Sequence, residues 1–393
     1  MTPMPVYLDY AATTPVDADV ARAMYVCLTD ERGFGNPASG LHAFGRAAAD
    51  RVERARRQVA SLIGAGADEI VWTSGATEAD NLAVIGAARF RAATGRHIIT
   101  AVTEHPAVLD ACRYLGRQGF DVTVLVPGAH GIIEPRQIEA ALTDDTSLVS
   151  LMHVNNEIGV IQDIGAIGAL CRSHGALFHV DAAQSACHLP IDVVAQSIDL
   201  LSLSAQKMYG PKGIGALYMN SDRIRRIEPL MFGGSQEHGL RPGTVPTHQA
   251  VGMGEACRIV QARGPDDAAR IAALRDRLWA GIAGIPGVLL NGDRDKRVSH
   301  ILNISVTGVE GESLHFGLRD LAVSAGSACA TLDSTPSAVL RCLGREDQLA
   351  RASVRFSFGR PTTVEEIDRA VETFTRAVAH LRRIAPQSTR AFA

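Results

Sequence analysis

The pattern of apolar and polar positions divides the chain into two parts. Between about residues 46 and 260, short β-branched or apolar runs alternate with longer stretches of helical period, which is typical of α/β proteins. The runs predict strands at residues 69–72, 97–102, 121–126, 148–153, 176–180, 200–203 and 216–219, with helices such as 45–63 and 76–91 between them. Several runs are almost continuously apolar, as expected for parallel strands covered on both faces.

The pattern after Gly264 is different. It predicts a long amphipathic helix at residues 266–282, strands near Val288 and at residues 300–306 and 353–358, and a last helix at residues 364–384. Residues 385–393 have no apolar period, and we expect them to be frayed. We therefore predict a large domain from residues 15 to 260 and a smaller α+β domain formed by residues 1–14 and 261–393.

Composition and charge exclude several classes of protein. Hydrophobic residues make up 46% of the chain and charged residues 21%, which predicts an ordinary globular protein rather than a disordered or fibrous one. The net charge of -3 provides no basic field for direct nucleic-acid or membrane binding. No apolar run approaches the roughly 20 residues of a membrane-spanning helix, and residues 1–6 do not resemble a secretory signal. We expect a cytoplasmic protein.

The cysteines indicate reduced thiols. Seven cysteines are scattered along the chain without a Cys-x-x-Cys pair, which favours neither a disulfide framework nor a metal site. Cys329 differs from the rest because small residues surround it at positions 326–331, where a thiol can be accessible, although the same composition also describes a tight, fixed turn. Bulkier apolar neighbours predict a core position for Cys342, and the other five cysteines are expected at core or helix positions.

Two segments follow predicted strands and carry residues suited to an anionic or cationic ligand. Small residues at 73–77 precede a helix, so their backbone N–H groups suit a phosphate, although a plain N-cap is the alternative. Asp181 ends an apolar run and is flanked by small residues. A buried carboxylate there needs a cationic partner such as a pyridinium N–H; the alternative is a loop or capping aspartate.

A third segment places a lysine at the end of an apolar strand. The chain has three lysines, Lys207, Lys212 and Lys296, and only Lys207 follows a predicted buried strand. Desolvation there lowers the pKa of an amine and favours Schiff-base chemistry. Lys212 is the rival, but it lies within a Gly-Pro turn and is expected to be more solvated.

These three segments, in this order, resemble the cysteine desulfurase family of pyridoxal-phosphate enzymes. The resemblance covers nearly the whole chain and includes further motifs at residues 7–15, 35–39, 104–105, 153–159, 241–244, 324–329 and 354–360. It implies an aspartate-aminotransferase-like α/β fold (pyridoxal-phosphate fold type I), with a mostly parallel sheet in the large domain and a smaller α+β domain.

The resemblance also implies roles for individual residues. Lys207 is expected to bind pyridoxal 5'-phosphate covalently, Asp181 to keep its pyridine nitrogen protonated, and His105 to stack on the ring and transfer protons. The other implied contacts are Ala76, Thr77, Ser204 and Gln206 near the phosphate, Gln184 at the ring hydroxyl oxygen, Asn156 at cofactor or substrate, and Thr244 contributed by the other subunit. A homodimer is therefore implied.

The implied reaction converts L-cysteine to L-alanine and leaves a persulfide on Cys329 for transfer to a protein acceptor. Arg355 is expected to bind the substrate carboxylate, since a guanidinium binds carboxylates bidentately; the alternative is a surface ion pair. Three alternative functions are transamination, a selenocysteine lyase reaction and a non-catalytic sulfur-delivery scaffold. Cys329 disfavours transamination, and the joint presence of Lys207, Asp181, His105, Arg355 and Cys329 disfavours the scaffold.

Two positions depart from the family pattern. Gln206 stands where histidine is common before the cofactor lysine, and Ala325 replaces a common serine. An amide can donate a hydrogen bond to phosphate but adds no charge, so cofactor affinity and absorbance are expected to differ. The variants suggest a specialised branch, such as one that supplies sulfur for DNA phosphorothioation, while iron-sulfur assembly and tRNA thiolation remain open.

Overall fold

The computed structural model describes residues 4–31, 33–224, 226–325 and 336–384. Its helices are α1 (Ala18–Thr29), α2 (Ala43–Ile63), α3 (Ala76–Arg91), α4 (Pro106–Arg117), α5 (Pro135–Ala141), α6 (Ile164–His174), α7 (Thr247–Ile282), α8 (Gly311–Gly317), α9 (Ala338–Cys342), α10 (Asp347–Arg351) and α11 (Val364–Ile384). Its strands are β1 (Val6–Tyr7), β2 (Ile70–Thr73), β3 (His97–Ala101), β4 (Asp121–Leu125), β5 (Thr146–Met152), β6 (Leu177–Asp181), β7 (Leu200–Ser204), β8 (Gly215–Met219), β9 (Val288–Leu290), β10 (Ile301–Val306), β11 (Leu321–Ala322), β12 (Ser324–Ala325) and β13 (Ser353–Ser357).

Within these residues the largest sheet has seven strands in the order β2-β8-β7-β6-β5-β3-β4. Only β8 runs antiparallel to its neighbours, so β2, β3, β5, β6 and β7 all end at the same edge. Loops that follow the carboxyl ends of parallel strands are the usual place for a ligand in an open α/β sheet. The topology therefore predicts a ligand-binding site at this edge of the sheet.

The strands of this sheet are buried on both faces. Phe178 and Val180 of β6 pack in one apolar cluster, while Leu177 of the same strand packs in another on the opposite face. This alternation repeats along β2, β3, β5 and β7 and explains why the strands are apolar without a period of two. The expected strands and the mostly parallel α/β architecture are confirmed.

A second hydrophobic core surrounds a four-stranded antiparallel sheet in the order β12-β13-β10-β9. The carboxyl half of α7 and the helices α8 and α11 cover it, and Val6 and Leu8 from the start of the chain join the same core. The division of the chain after residues 14 and 260 stays a prediction. The tail 385–393 lies outside the described residues.

One helix differs from the sequence expectation. Residues 266–282 were expected to begin a new helix after Gly264, but α7 runs unbroken from Thr247 through Pro265 to Ile282. Proline usually interrupts a helix because it lacks an N–H group and crowds the preceding turn. Here packing holds both halves: the first half lies against α1 and α2, and the second against α11. Tertiary contacts therefore override the local signal.

Candidate active site

A cavity of about 510 Å³ opens at the carboxyl edge of the large sheet. It brings together ten of the residues singled out from the sequence: Ala76, Thr77, His105, Asn156, Asp181, Gln184, Ser204, Gln206, Lys207 and Arg355. A second cavity of the same volume between α1, α2 and α7 contains none of them. The first cavity is therefore the candidate site.

Lys207 lies in a short 3-10 turn directly after β7, with its side chain in the cavity. Its Nζ donates hydrogen bonds to the carbonyl oxygens of Ala11 and Ala12, each at 2.6 Å. Lys212 and Lys296 are exposed. The structure thus places the side chain of one lysine, among the three, inside the cavity.

Asp181 is the last residue of β6 and is buried. Its Oδ1 accepts a hydrogen bond from the Ala183 N–H at 2.9 Å. Burial raises the pKa of Asp181, while the Ala183 hydrogen bond and the proximity of His105 and Lys207 oppose that rise. A cationic N–H group bound beside this carboxylate would offset the cost of its burial, so the residue fits a pyridine nitrogen.

Two further buried acidic side chains, Asp80 and Glu104, line the cavity with Asp181; the sequence predicted a role for neither, although Glu104 falls within the motif at 104–105. Burial raises the pKa of Asp80 and of Glu104 well above their usual range, and the charge of Asp181 adds to both shifts. The raised pKa values favour the protonated, neutral forms of both groups, which lessens the repulsion that an ionised Asp181 would meet. Nothing in the local sequence distinguishes them from surface carboxylates.

The start of α3 forms a cradle suited to a phosphate. Gly75 is the N-cap and provides no side-chain hydrogen bond to the helix, so the N–H groups of the first turn, including those of Ala76 and Thr77, remain for a ligand. Ser204 ends β7 beside it. A Cβ at Gly215 would lie 2.6 Å from the Gly75 Cα, so only glycine allows this close approach.

His105 is the N-cap of α4. Its Nδ1 accepts a hydrogen bond from the Ala107 N–H at 3.1 Å, so the neutral ring carries its proton on Nε2. This leaves Nε2 as the nitrogen that exchanges a proton with a ligand. Pro106 at the first helical position requires no hydrogen bond and sets the direction of the helix.

Arg355 extends from β13 and is almost completely buried, which excludes a surface ion pair. Its Nη2 donates to Asp9 Oδ1 at 2.7 Å and to Ser324 Oγ at 3.1 Å, and its Nη1 donates to the Asn156 carbonyl at 2.9 Å. Among the described residues, its buried Nε has no hydrogen-bond partner. A carboxylate ligand would supply the acceptor that this guanidinium still lacks.

The same wall of the cavity contains Glu157, which the sequence reasoning missed within the motif at 153–159. Ser337 Oγ donates to Glu157 Oε2 at 2.5 Å. Burial raises the pKa of Glu157 to about 7, against the opposing effects of Ser337 and Arg355. This glutamic acid therefore titrates within the range in which most enzymes operate.

One expected residue, Thr244, is not among the described residues that line the cavity. Thr244 is exposed and lies in surface clefts lined also by Asn36 and Pro37. Cys329 lies outside the described residues. Of the other cysteines, Cys342 was expected in the core but is half-buried, because it is at the end of the short helix α9.

The remaining cysteines are buried, as expected: Cys27, Cys112, Cys171, Cys187 and Cys257. Burial raises the pKa of Cys112, Cys171 and Cys187 to about 12. Thiols with such high pKa values contain almost no thiolate at neutral pH, so they are poor nucleophiles. None of these three side chains competes for a nucleophilic role.

Comparison with known proteins identifies the class. The family model of class-V aminotransferases matches residues 6–370. The chain is 57% identical over 383 residues to "Cysteine desulfurase IscS" of Shewanella baltica, covering 98% of this chain and 95% of that protein. It therefore belongs to the class-V aminotransferase family and, within it, to the cysteine desulfurases, whose cofactor is pyridoxal 5'-phosphate.

Solved structures agree with this assignment. A NifS-like protein aligns with a TM-score of 0.88 at 31% identity, over 96% of this chain and 100% of that one. "SspA in complex with cysteine" aligns with a TM-score of 0.81 at 38% identity, over 91% of this chain and 100% of that one. DndA from Streptomyces lividans aligns with a TM-score of 0.76 at 40% identity, over 90% of this chain and 99% of that one.

No helix in the described ranges has the length and apolarity needed to cross a bilayer.

Proposed function

We propose that the cavity binds pyridoxal 5'-phosphate on Lys207 and L-cysteine beside it, and that the sulfur passes to Cys329. The observation that carries this assignment is the convergence of Lys207, Asp181 and Arg355, an amine, a buried carboxylate and a guanidinium, in one cavity. When bound, the cofactor withdraws electrons from the bonds at the amino acid's Cα. The solved complex of SspA with cysteine supports L-cysteine as the substrate.

The groups that line the cavity each have a separate role in binding. Asp181 holds a proton on the pyridine nitrogen, because an ionised carboxylate buried at the end of β6 stabilises an adjacent N–H cation. The first turn of α3 binds the phosphate through its N–H groups, with Ser204 as a hydroxyl donor. Arg355 orients the substrate carboxylate, and its hydrogen bonds to Asp9 and to the Asn156 carbonyl hold the guanidinium in place.

Sulfur transfer requires a thiolate and a proton carrier. The Cys329 thiolate attacks the substrate sulfur, so that an S–S bond forms while the Cβ–S bond breaks and its electron pair stays on the carbon side. Protonation of that carbon gives L-alanine, and we assign the supply and removal of protons to Nε2 of His105, whose ring lines the cavity. The persulfide on Cys329 then passes to a protein acceptor.

A homodimer in the cytoplasm completes the proposal. Phe34 is 73% exposed, packs against Phe44 with ring centroids 5.3 Å apart, and lines the same surface cleft as Thr244. An exposed aromatic pair at this place favours coverage by a second subunit, which would bring Thr244 toward the partner's phosphate site. The reduced, buried thiols suit a cytoplasmic enzyme.

Three experiments test the reaction. Purified wild-type protein should show the absorbance of bound pyridoxal phosphate and convert L-cysteine to equal amounts of alanine and transferable sulfur. Mass spectrometry after limited L-cysteine should find one added sulfur on the peptide that contains Cys329. Cys329→Ser should retain the absorbance but lose alanine production by orders of magnitude, because a hydroxyl cannot form a persulfide. Added sulfur on Cys342, or normal turnover in Cys329→Ser, would contradict the assignment.

Mixing two inactive variants tests the dimer. If Thr244 acts in the partner's site, a heterodimer of Lys207→Ala and Thr244→Val contains one intact site and should recover part of the activity. If Thr244 acts in its own subunit, no intact site forms. Light scattering should give a dimer for the wild type and a monomer for Phe34→Glu. Phe316→Glu is the matched control, since Phe316 is 70% exposed on α8.

A further inference from the structure

Two histidines stack behind the cofactor-binding amide of Gln184. The rings of His188 and His300 are nearly parallel, at 13°, with centroids 3.6 Å apart. The buried His300 places its Nε2 3.2 Å from Gln184 Oε1. Gln184 Nε2 in turn donates to the carbonyl oxygen of Ala11 at 2.9 Å. The sequence predicted a role for neither histidine.

The chemistry of these groups fixes the position of each proton. The Ala11 carbonyl can only accept, so Gln184 must present its NH₂ group to Ala11 and its oxygen to His300. The hydrogen bond from His300 therefore requires the proton on Nε2. His300 Nδ1 is buried and has no hydrogen-bond partner among the described residues, which agrees with an unprotonated nitrogen.

The surroundings keep His300 neutral. Burial lowers the pKa of His300 well below its usual value, and the nearby charges of His188, Arg355, Lys207 and Arg275 lower it further. A neutral imidazole has one N–H group, and this group is used on Gln184. The lowered pKa therefore favours the neutral form, in which Nε2 donates to Gln184.

We propose that His300 is a positioning residue that fixes the amide of Gln184 for the cofactor. The inference rests on the proposed function, in which Gln184 contacts the ring hydroxyl oxygen. One amide hydrogen of Gln184 is used on Ala11, and the second is available for that oxygen. If His300 did not hold Oε1, the amide could rotate and direct its oxygen, not its N–H, at the cofactor. The Ala11 carbonyl also accepts from Lys207 Nζ, so the network reaches the reacting amine.

The test is the pH dependence of the absorbance of the holoenzyme. When an N–H group donates a hydrogen bond to the ring oxygen, it withdraws electron density from that oxygen. The oxygen then attracts the proton on the Lys207 nitrogen less strongly, so that this proton is lost at a lower pH. His300→Leu should therefore raise the midpoint of the absorbance titration by about 0.7 pH unit, the worth of one ordinary hydrogen bond. His300→Gln, which places an amide N–H near the lost Nε2, should restore the wild-type midpoint. His188→Phe keeps a stacked ring and should leave the midpoint unchanged.

A double-mutant cycle separates positioning from packing. If His300 acts through Gln184, His300→Leu should cause no further shift in a Gln184→Leu background. An unshifted midpoint in His300→Leu, or an equal shift with and without Gln184, would overturn the inference. A wild-type protein without the cofactor absorbance would instead contradict the proposed function.

The inference can also be tested where His300→Leu does not fold. Nitrogen-15 NMR of the histidine-labelled holoenzyme, assigned with His300→Gln, should show His300 neutral and protonated on Nε2 from pH 6 to 8. A proton on Nδ1, or a charged ring within that range, would exclude donation to Gln184 and would overturn the proposal.

Discussion

Replacing Glu157 by glutamine should remove a pH-dependent cost to stability. Burial raises the pKa of Glu157 from its ordinary value of 4.5 to about 7. Between these values the unfolded chain has released the proton and the folded chain has kept it, so the free energy of unfolding falls as pH rises. Above pH 7 the cost levels off at about 3 kcal/mol, since each pKa unit corresponds to about 1.4 kcal/mol. Below pH 4.5 it disappears.

Glutamine preserves the contact without the titration. Its carbonyl oxygen can still accept the hydrogen bond from Ser337 Oγ, and its amide does not ionise. From pH 5 to pH 8, the free energy of unfolding of Glu157→Gln should therefore rise by about 2.5 kcal/mol relative to wild type. The entropy of unfolding is about 2.1 cal/mol/K per residue for the 393 residues. The Tm of Glu157→Gln minus the Tm of wild type should therefore be about 3 °C larger at pH 8 than at pH 5.

Thermal unfolding by differential scanning at pH 5, 6, 7 and 8 is the assay. Glu139→Gln is the matched control, because Glu139 is exposed on α5 and the change removes the same charge without burial. Its Tm difference from wild type should stay nearly constant across the series. If Glu157→Gln also gave a constant difference, the pKa of Glu157 would not be raised by folding, and the reasoning from burial would be wrong.

Three further outcomes are expected. Lys207→Ala should abolish the absorbance of bound cofactor while Lys212→Ala keeps it; the reverse pattern in the spectra would reassign the lysine. Arg56→Leu should lower the Tm by about 4–6 °C, because it leaves the buried Glu237 carboxylate unpaired at a cost of about 3–5 kcal/mol; scanning that shows no decrease would refute this. Arg355→Lys should keep the cofactor spectrum but lower kcat/KM for L-cysteine about 100-fold in an alanine assay, since an ammonium cannot replace a bidentate guanidinium; an unchanged kcat/KM would remove its assigned role.

The strands and the position of the site could be predicted from the sequence because both depend on local chemistry. Apolar runs recur wherever both faces of the sheet are covered, and each run ends at a change to small or polar residues. Asp181 and Lys207 were found because they follow such runs directly. Parallel strands then place the ends of these runs at one edge, so residues far apart in sequence meet there.

Partners distant in sequence could not be predicted in the same way. Glu157 and Ser337 are 180 residues apart, and Gln184 and His300 are 116 apart. A buried, titratable glutamic acid and a surface one have the same local sequence pattern, because the difference is made by neighbours from other elements. For the same reason α7 was expected to begin after Gly264: packing on both sides of Pro265 has no local signature.

The segment before α1 illustrates why a motif can be recognised before its purpose is understood. Residues 7–15 contributed to the resemblance without a stated physical role. In the structure, the carbonyls of Ala11 and Ala12 accept from Lys207 Nζ, the Ala11 carbonyl also accepts from Gln184, and Asp9 pairs with Arg355. Three of these four contacts use backbone oxygens, which every residue type provides, so no side-chain pattern could reveal them. This short segment therefore positions the amine, the amide and the guanidinium of the site relative to one another.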